Sequence, residues 1–302
     1  MKELVIISGK GGTGKTSITG AFASLATDIV LCDADVDAAD LHLILNPAVS
    51  VTEDFTAGHE AIIRKDKCSQ CGQCIELCRF GAVKENFEID PLDCEGCGIC
   101  VELCPEQAID FPETICGQWY ISDTRFGSMV HARLGIAQEN SGKLISLIRG
   151  EAKKLAEKKN LELILTDGPP GTGCPVIASV SQATAVLVIT EPTVSGIHDL
   201  ERVRNLTEHF HIPTMVCINK YDLCREQTQK IEEIAGTAAL PVVGRIAFDP
   251  IFTQAMIQAK TIFEYNPQSQ TCTEVKQVWD RILKEPCLNQ AVNNNIKPFI
   301  KL

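Results

Sequence analysis

Eight cysteines fall into two runs with identical intervals, Cys68-x2-Cys71-x2-Cys74-x3-Cys78 and Cys94-x2-Cys97-x2-Cys100-x3-Cys104, the second followed by Pro105. A single run would fit a zinc knuckle. Two identical runs, one closed by Pro, fit thiolates converging on the irons of two [4Fe–4S] clusters. The repeat therefore requires a small loop-rich unit wrapped around inorganic cores. Gly72 and Gly98 each follow the second cysteine of a run, where a side chain would crowd a wrapping loop. Ile75, Leu77, Ile99, Val101 and Leu103 are expected to pack around the clusters.

The N-terminus carries a different constraint. An apolar run, ELVIIS, leads into Gly9-Lys10-Gly11-Gly12-Thr13-Gly14-Lys15-Thr16-Ser17. This matches the G-x-x-x-x-G-K-[ST] phosphate loop in its proper setting, after a strand and before a helix. Backbone N–H groups of such a loop wrap phosphates, and the helix N-terminus adds positive potential. Lys15 is expected to reach the β- and γ-phosphates and Thr16 to ligate Mg²⁺. Asp167, ending the apolar run LELILTD, is placed to hold the metal's water shell. Asp33 and Asp35 end a second apolar run and fall on the same carboxyl edge, where α/β ligand sites form. Asp33 is a candidate Mg²⁺ residue, and either carboxylate could position an attacking water.

Strand signals recur at 161–166, 185–190, 214–218 and 242–247, separated by helical stretches at 177–182, 197–210 and 225–234. A helix capped at Asn140 or Ser141 is expected to run to about Lys159, and an amphipathic one to cover 273–283. Alternation of this kind predicts an α/β fold, a mostly parallel sheet with helices on both faces. The expected division is a discontinuous nucleotide domain over 1–59 and 113–285, an insert over 60–112, and a tail over 286–302.

Fifteen cysteines without a signal-peptide layout point to a reducing cytoplasm. Cys32, Cys116, Cys174, Cys217, Cys224, Cys272 and Cys287 form no CxxC pair and read as structural thiols. The net charge is −11, and residues 60–112 hold eleven acidic against five basic side chains. That balance disfavours nucleic-acid binding and favours a redox or iron–sulfur partner with a basic surface. No apolar stretch is long enough for stable membrane insertion.

With these residues in view, the chain resembles the MinD/ParA/Mrp group of ATPases, to which the nitrogenase iron protein is related. KGGTGKT, with its second lysine Lys10, is similar to that group's deviant Walker A motif. DADVDAADL resembles its first switch, TDGPPGTG its second, and FDPIFTQAMIQAKTIFEYNP its base-proximal segment. The cysteine runs resemble a ferredoxin-like α+β domain inserted into a MinD-like ATPase. The resemblance implies an ATP-dependent homodimer in which Lys10 crosses to the partner's nucleotide. It also implies that Asp35 supports hydrolysis and that Asn219, Asp249 and Pro250 lie near adenine. Ferredoxin-style crossed ligation would give Cys68, Cys71, Cys74 and Cys104 to one cluster and Cys94, Cys97, Cys100 and Cys78 to the other. Mg-ATP is the expected nucleotide, although Asn219-Lys220-Tyr221-Asp222 also fits the guanine-reading N-K-x-D of GTPases. Neither a C-terminal CxxC, as in Mrp-type carriers, nor a basic amphipathic tail like MinD's membrane helix is present. Three functions remain in competition: nucleotide-controlled electron transfer, iron–sulfur cluster carriage or assembly, and MinD/ParA-like positioning.

Overall fold

The computed structural model describes residues 1–135 and 140–289. In chain order the elements are β1 (Lys2–Ser8), α1 (Lys15–Leu25), β2 (Ile29–Asp33), α2 (Leu41–Leu45), β3 (Ala48–His59) and β4 (Ile62–Ile63). Next come α3 (Gln73–Leu77), α4 (Ile99–Glu102), β5 (Ile109–Asp110), β6 (Glu113–Thr124), β7 (Gly127–Leu134), α5 (Ser141–Lys159) and β8 (Leu163–Pro170). The chain continues through α6 (Cys174–Val180), β9 (Ala185–Thr190), α7 (Val194–His209), β10 (Thr214–Asn219) and α8 (Arg225–Thr237). It closes with β11 (Val242–Ile246), α9 (Ile251–Ile257), α10 (Ile262–Tyr265) and α11 (Gln270–Ile282).

Two compact units divide the chain. The first comprises Met1–Thr52, Trp119–Arg133 and the residues from Ser141 onward; the second comprises Glu53–Gln118 and the stretch 134–140. One sheet runs in the order β11-β10-β9-β1-β8-β2-β7-β6-β3. From β11 to β7 every neighbouring pair is parallel. Side chains of β1 alternate between two cores, as a pleated strand buried on both faces must. Leu4 and Ile6 join Ile18, Phe22, Val275 and Trp279 on one face, where the Phe22 and Trp279 rings lie 5.0 Å apart. Val5 and Ile7 join Val176, Val188, Leu200 and Ile231 on the other. The parallel α/β sheet covered on both faces is thus as the alternation predicts.

The sequence pattern breaks after Leu45-Asn46-Pro47, yet the structure continues there into the twelve-residue strand β3. Only Phe55 and Ala57 of β3 are buried, so its strand character comes from edge pairing and leaves little apolar pattern to read. β6 and β7 meet at the two-residue turn Arg125–Phe126, which fits an antiparallel pair. The sequence of 119–136 predicts strands joined by a turn near Phe126-Gly127-Ser128, and β6 and β7 supply them, while Ile136 lies outside the described residues.

Within the second unit, β4 and β5 pair antiparallel, Ile62 with Asp110 and Ile63 with Ile109. The helices α3 and α4 occupy equivalent places in the two cysteine runs. Each starts from a left-handed glycine, Gly72 at φ 83° and Gly98 at φ 73°. Side chains with a Cβ rarely adopt that conformation, so the repeat is built into the backbone as well as the cysteine spacing. Among the described residues no helix is long and apolar enough to cross a membrane.

Candidate functional site

The phosphate loop lies between β1 and α1 at the carboxyl edge of the sheet, and its glycines are demanded by close neighbours. Gly14, at φ 89°, would place a Cβ 2.5 Å from the Asn219 side-chain nitrogen, and Gly9 would place one 2.2 Å from Cβ of Asp199. Below the loop, Lys15 is almost fully buried. Its Nζ lies 2.9 Å from Asp167 Oδ2, 3.3 Å from Asp35 Oδ2 and 3.1 Å from Thr16 Oγ1. Thr16 Oγ1 donates to Asp167 Oδ2 at 2.7 Å and Thr19 Oγ1 donates to Asp167 Oδ1 at 2.8 Å. Burial alone would lower the Lys15 pKa, but Asp167, Asp35 and Asp33 outweigh it and hold the ammonium above its ordinary value. Burial, opposed in part by Lys15, pushes the Asp35 carboxyl up.

Asp33 is completely buried, and burial together with the charge of Asp167 pushes its pKa well up. Its Oδ1 accepts from the Asp35 N–H and its Oδ2 from the Leu41 N–H, both at 3.2 Å. The carboxylate thereby brackets the segment that carries Asp35, joining the end of β2 to the start of α2. Among the described residues no three His, Cys, Asp or Glu side chains converge as ligands of one metal ion.

Lys10 extends away from the loop interior. Its Nζ lies 2.5 Å from Glu191 Oε1 and donates to Ser195 Oγ at 2.9 Å and Thr193 Oγ1 at 3.3 Å. Glu191 also meets Lys220 Nζ at 3.1 Å, and Lys220 reaches the Gly12 carbonyl at 2.8 Å. Burial would raise the Glu191 carboxyl, but the two lysines hold it below the usual range. Asn219 donates to the Thr13 carbonyl at 2.7 Å, so its amide braces the phosphate loop. Asp249 accepts from the Ile251 N–H and from Thr271 Oγ1, with Pro250 at the start of α9. Asp222 accepts from the Phe248 N–H at 2.7 Å, which ties the N-K-x-D segment to the Phe248-Asp249-Pro250 stretch. Glu191 was not legible as a site residue, because it meets the loop only through tertiary structure; Lys220 was legible in N-K-x-D, but not its contact with the Gly12 carbonyl.

The residues present fit a nucleotide and its metal. The Thr13 hydroxyl is buried in the loop with no hydrogen-bond partner, a state rare in native proteins and one that a polar ligand relieves. Lys15 and Thr16 supply a cation and a hydroxyl beside the Asp167 carboxylate.

The second unit brings six of the eight cysteines into two overlapping groups. Cys68, Cys71, Cys74 and Cys104 line one small pocket with Ile63, Phe87, Pro105 and Ile109. Cys74, Cys94, Cys100 and Cys104 share an apolar cluster with Ala61, Ile109, Val101 and Phe111. Every cysteine in the chain is a free thiol. Cys104 Sγ accepts from the Ala108 N–H at 3.3 Å. Burial would raise the Cys78 thiol, but N–H groups of Val83, Phe80, Ala82 and Gly81 hold it below its ordinary value. This donor set suits a [4Fe–4S] core, whose four sulfur ligands bind four different irons and need not converge on one point.

The sequence from 4 to 262 matches the model of the CobQ/CobB/MinD/ParA nucleotide-binding domain. The chain belongs to this family. An uncharacterized protein of Methanocaldococcus jannaschii is 35% identical over 222 residues, covering 72% of this chain and 78% of that one. The septum site-determining protein MinD of Synechocystis is 25% identical over 261 residues, covering 82% and 76%. Among solved structures, the cell division ATPase MinD of Pyrococcus furiosus superposes with a TM-score of 0.59 at 17% identity, covering 94% of this chain and 98% of that one. MinD of Pyrococcus horikoshii, solved with Mg-ADP, gives the same TM-score and identity over 94% and 96%. MinD from Aquifex aeolicus, solved with MinC, gives 0.58 at 19% identity over 94% and 96%. These likenesses establish a MinD-like nucleotide-binding fold.

Proposed function

We propose that this protein is a Mg-ATP-dependent ATPase whose nucleotide state controls two [4Fe–4S] clusters held in its second unit. The observation that carries the reading is the buried Lys15–Thr16–Asp167–Asp35 network beneath a phosphate loop, in a chain that also gathers Cys68, Cys71, Cys74 and Cys104 around one cavity. Lys15 would meet the β- and γ-phosphates, and Thr16 with Asp167 would serve Mg²⁺, exchanging the present Lys15–Asp167 pair for phosphate and metal. Asp35 would orient the attacking water. Asn219 would support the loop that cradles the phosphates, and Asp249 with Pro250 would order the chain on the base side. When bound, the clusters supply one-electron transfer. The chain's own part is to exclude water around Cys74, Cys100 and Cys104, and to leave Cys71 and Cys97 at the surface.

The parking of Lys10 on Glu191 supports an ATP-dependent homodimer, since a lysine held outside its own phosphate loop is available to a second nucleotide. The acidic second unit favours a partner with a basic surface. A positioning role of the MinD/ParA kind draws on the likeness to MinD, and cluster carriage or assembly draws on the exposed Cys71 and Cys97.

The test is a pair of measurements on anaerobically purified protein. Iron and sulfide analysis should return about eight of each per chain, and the cluster potentials should shift on adding Mg-ATP. Asp35→Ala should bind ATP and lose turnover. Zinc in place of iron, or turnover unchanged in that variant, overturns the reading. GTP outcompeting ATP would reassign the nucleotide.

A further inference from the structure

The turn between β6 and β7 places one guanidinium where three elements meet. Arg125 Nη1 donates to the Leu45 carbonyl at 2.5 Å and Nη2 to the Ile44 carbonyl at 2.8 Å, the last two residues of α2. Nη2 also reaches the Ala259 carbonyl just beyond α9, at 3.0 Å. Nε and Nη2 form a two-point pair with Glu264, at 2.5 and 2.8 Å. Glu264 is itself fixed, because its Oε2 accepts from the Thr261 N–H at 2.8 Å and closes the capping box of α10.

α2 has only five residues, too few to hold its own conformation in water. Its N-terminal end is held by Asp33, through the Leu41 N–H. Its C-terminal carbonyls, which have no partner within the helix, are held by Arg125. Between Asp33 and α2 lies the segment that carries Asp35, whose carboxylate must stay beside Lys15. A planar fork with five donors can satisfy two carbonyls and a carboxylate together, which a lysine ammonium cannot reproduce with the same geometry.

From this geometry we infer that Arg125 is a positioning residue for the first switch. It sets the far end of α2 and thereby the place of Asp35 over the phosphate loop. The inference rests on the ATPase reading above and goes beyond it, since Arg125 lies outside every nucleotide-binding motif of the chain. Removing the fork should leave the phosphate cradle intact while letting Asp35 wander.

Full-length Arg125→Ala, Arg125→Lys and Glu264→Gln test this. Arg125→Ala should lower kcat at least tenfold, with ATP affinity within twofold of the parent protein. Arg125→Lys should restore part of that loss, and Glu264→Gln, which keeps the guanidinium but loosens it, should lie between. Hydrogen exchange of the amides from 34 to 46 supplies a readout that needs no turnover, and it should quicken in Arg125→Ala with and without nucleotide. Unchanged exchange there, or a kcat equal to the parent in a folded Arg125→Ala, overturns the assignment of Arg125. A parent protein that hydrolyses no ATP while the exchange still quickens would instead overturn the ATPase reading and leave the α2 clamp standing. If Arg125→Ala does not fold, Glu264→Gln decides by the same two measurements.

Discussion

At the scale of single residues, a half-buried histidine beside the end of β2 should make stability depend on pH. His131 on β7 is the register partner of Asp33, stacks on Tyr120 at 5.0 Å and shares a hydrogen bond of 2.8 Å with Ser122 Oγ. Burial first, and the charge of His42 second, pull its pKa down to about 4. The unfolded chain therefore takes up this proton at higher pH than the folded one. The contribution is fully present above about pH 6.5 and is lost as pH falls through the folded value near 4. It amounts to about 3 kcal/mol at most. His131→Gln, which can still bond Ser122 but cannot charge, should flatten the fall in melting temperature across that window relative to the parent. An identical slope in both proteins would exclude His131 as the source. The same residue-scale view shows what the sequence could reveal. Lys15, Thr16, Asp35 and Asp167 sit in motifs whose chemistry is local, so their neighbourhood was legible. Glu191 joins the loop from just after β9, and no spacing rule connects it; Lys220, visible in N-K-x-D, meets Glu191 and the Gly12 carbonyl, contacts that the motif does not announce. Asn219 was legible as a site residue, but its amide braces Thr13, a contact that a base-reading motif does not announce.

At the scale of elements, α5 and α6 are pinned to the sheet by a buried ion pair. Arg149 of α5 meets both carboxylate oxygens of Glu3 on β1, at 2.8 and 2.7 Å. Its remaining nitrogen caps the end of α6 through the carbonyls of Ala178 and Ser181, and Thr166 adds a hydrogen bond to Glu3. Cutting such a pair on one side leaves an uncompensated buried charge. Arg149→Ala should therefore cost about 3–5 kcal/mol, read as a lower denaturation midpoint at unchanged slope. Replacing both partners by Leu and Met should recover most of that loss. If the double variant is no better than the single one, the cost lies in the α6 cap. Helix α5 was legible from its polar start and one-sided apolar spacing. α2 was not, because five residues offer no period, and β3 was not, because an exposed edge strand needs no alternation. The capping box of α10 is a local signal, but the capping Glu264 is also engaged by Arg125, a partner that the pattern cannot name.

At the scale of the whole molecule, the decisive question is whether two copies associate around nucleotide. Lys10 is held by Glu191, Thr193 and Ser195 of its own chain, so joining a second copy requires exchanging those contacts for phosphate oxygens. Light scattering should show a dimer with Mg-ATP in the Asp35→Ala background and a monomer when Lys10→Ala is added. Glu191→Gln should bring dimerisation to lower ATP concentrations, because the competing carboxylate charge is gone. Dimerisation unaffected by Lys10→Ala would remove that residue from the interface. The sheet and its order of layers followed from alternating apolar runs, which report burial directly. How the chain divides did not, since contact patterns rather than composition decide where one unit stops.

The second unit is assembled from two separate stretches, Glu53–Gln118 and the short return at 134–140. The chain therefore passes between units four times, and the strands β3, β6 and β7 are each shared by both. The unit as a whole is therefore not one uninterrupted stretch of chain. Cuts at 60 and 112 would take out every residue that lines the cysteine cluster and leave β3 and β6 behind as neighbours in the large sheet. The cysteine core and the unit that holds it therefore have different boundaries, and the core stops where the shared strands begin.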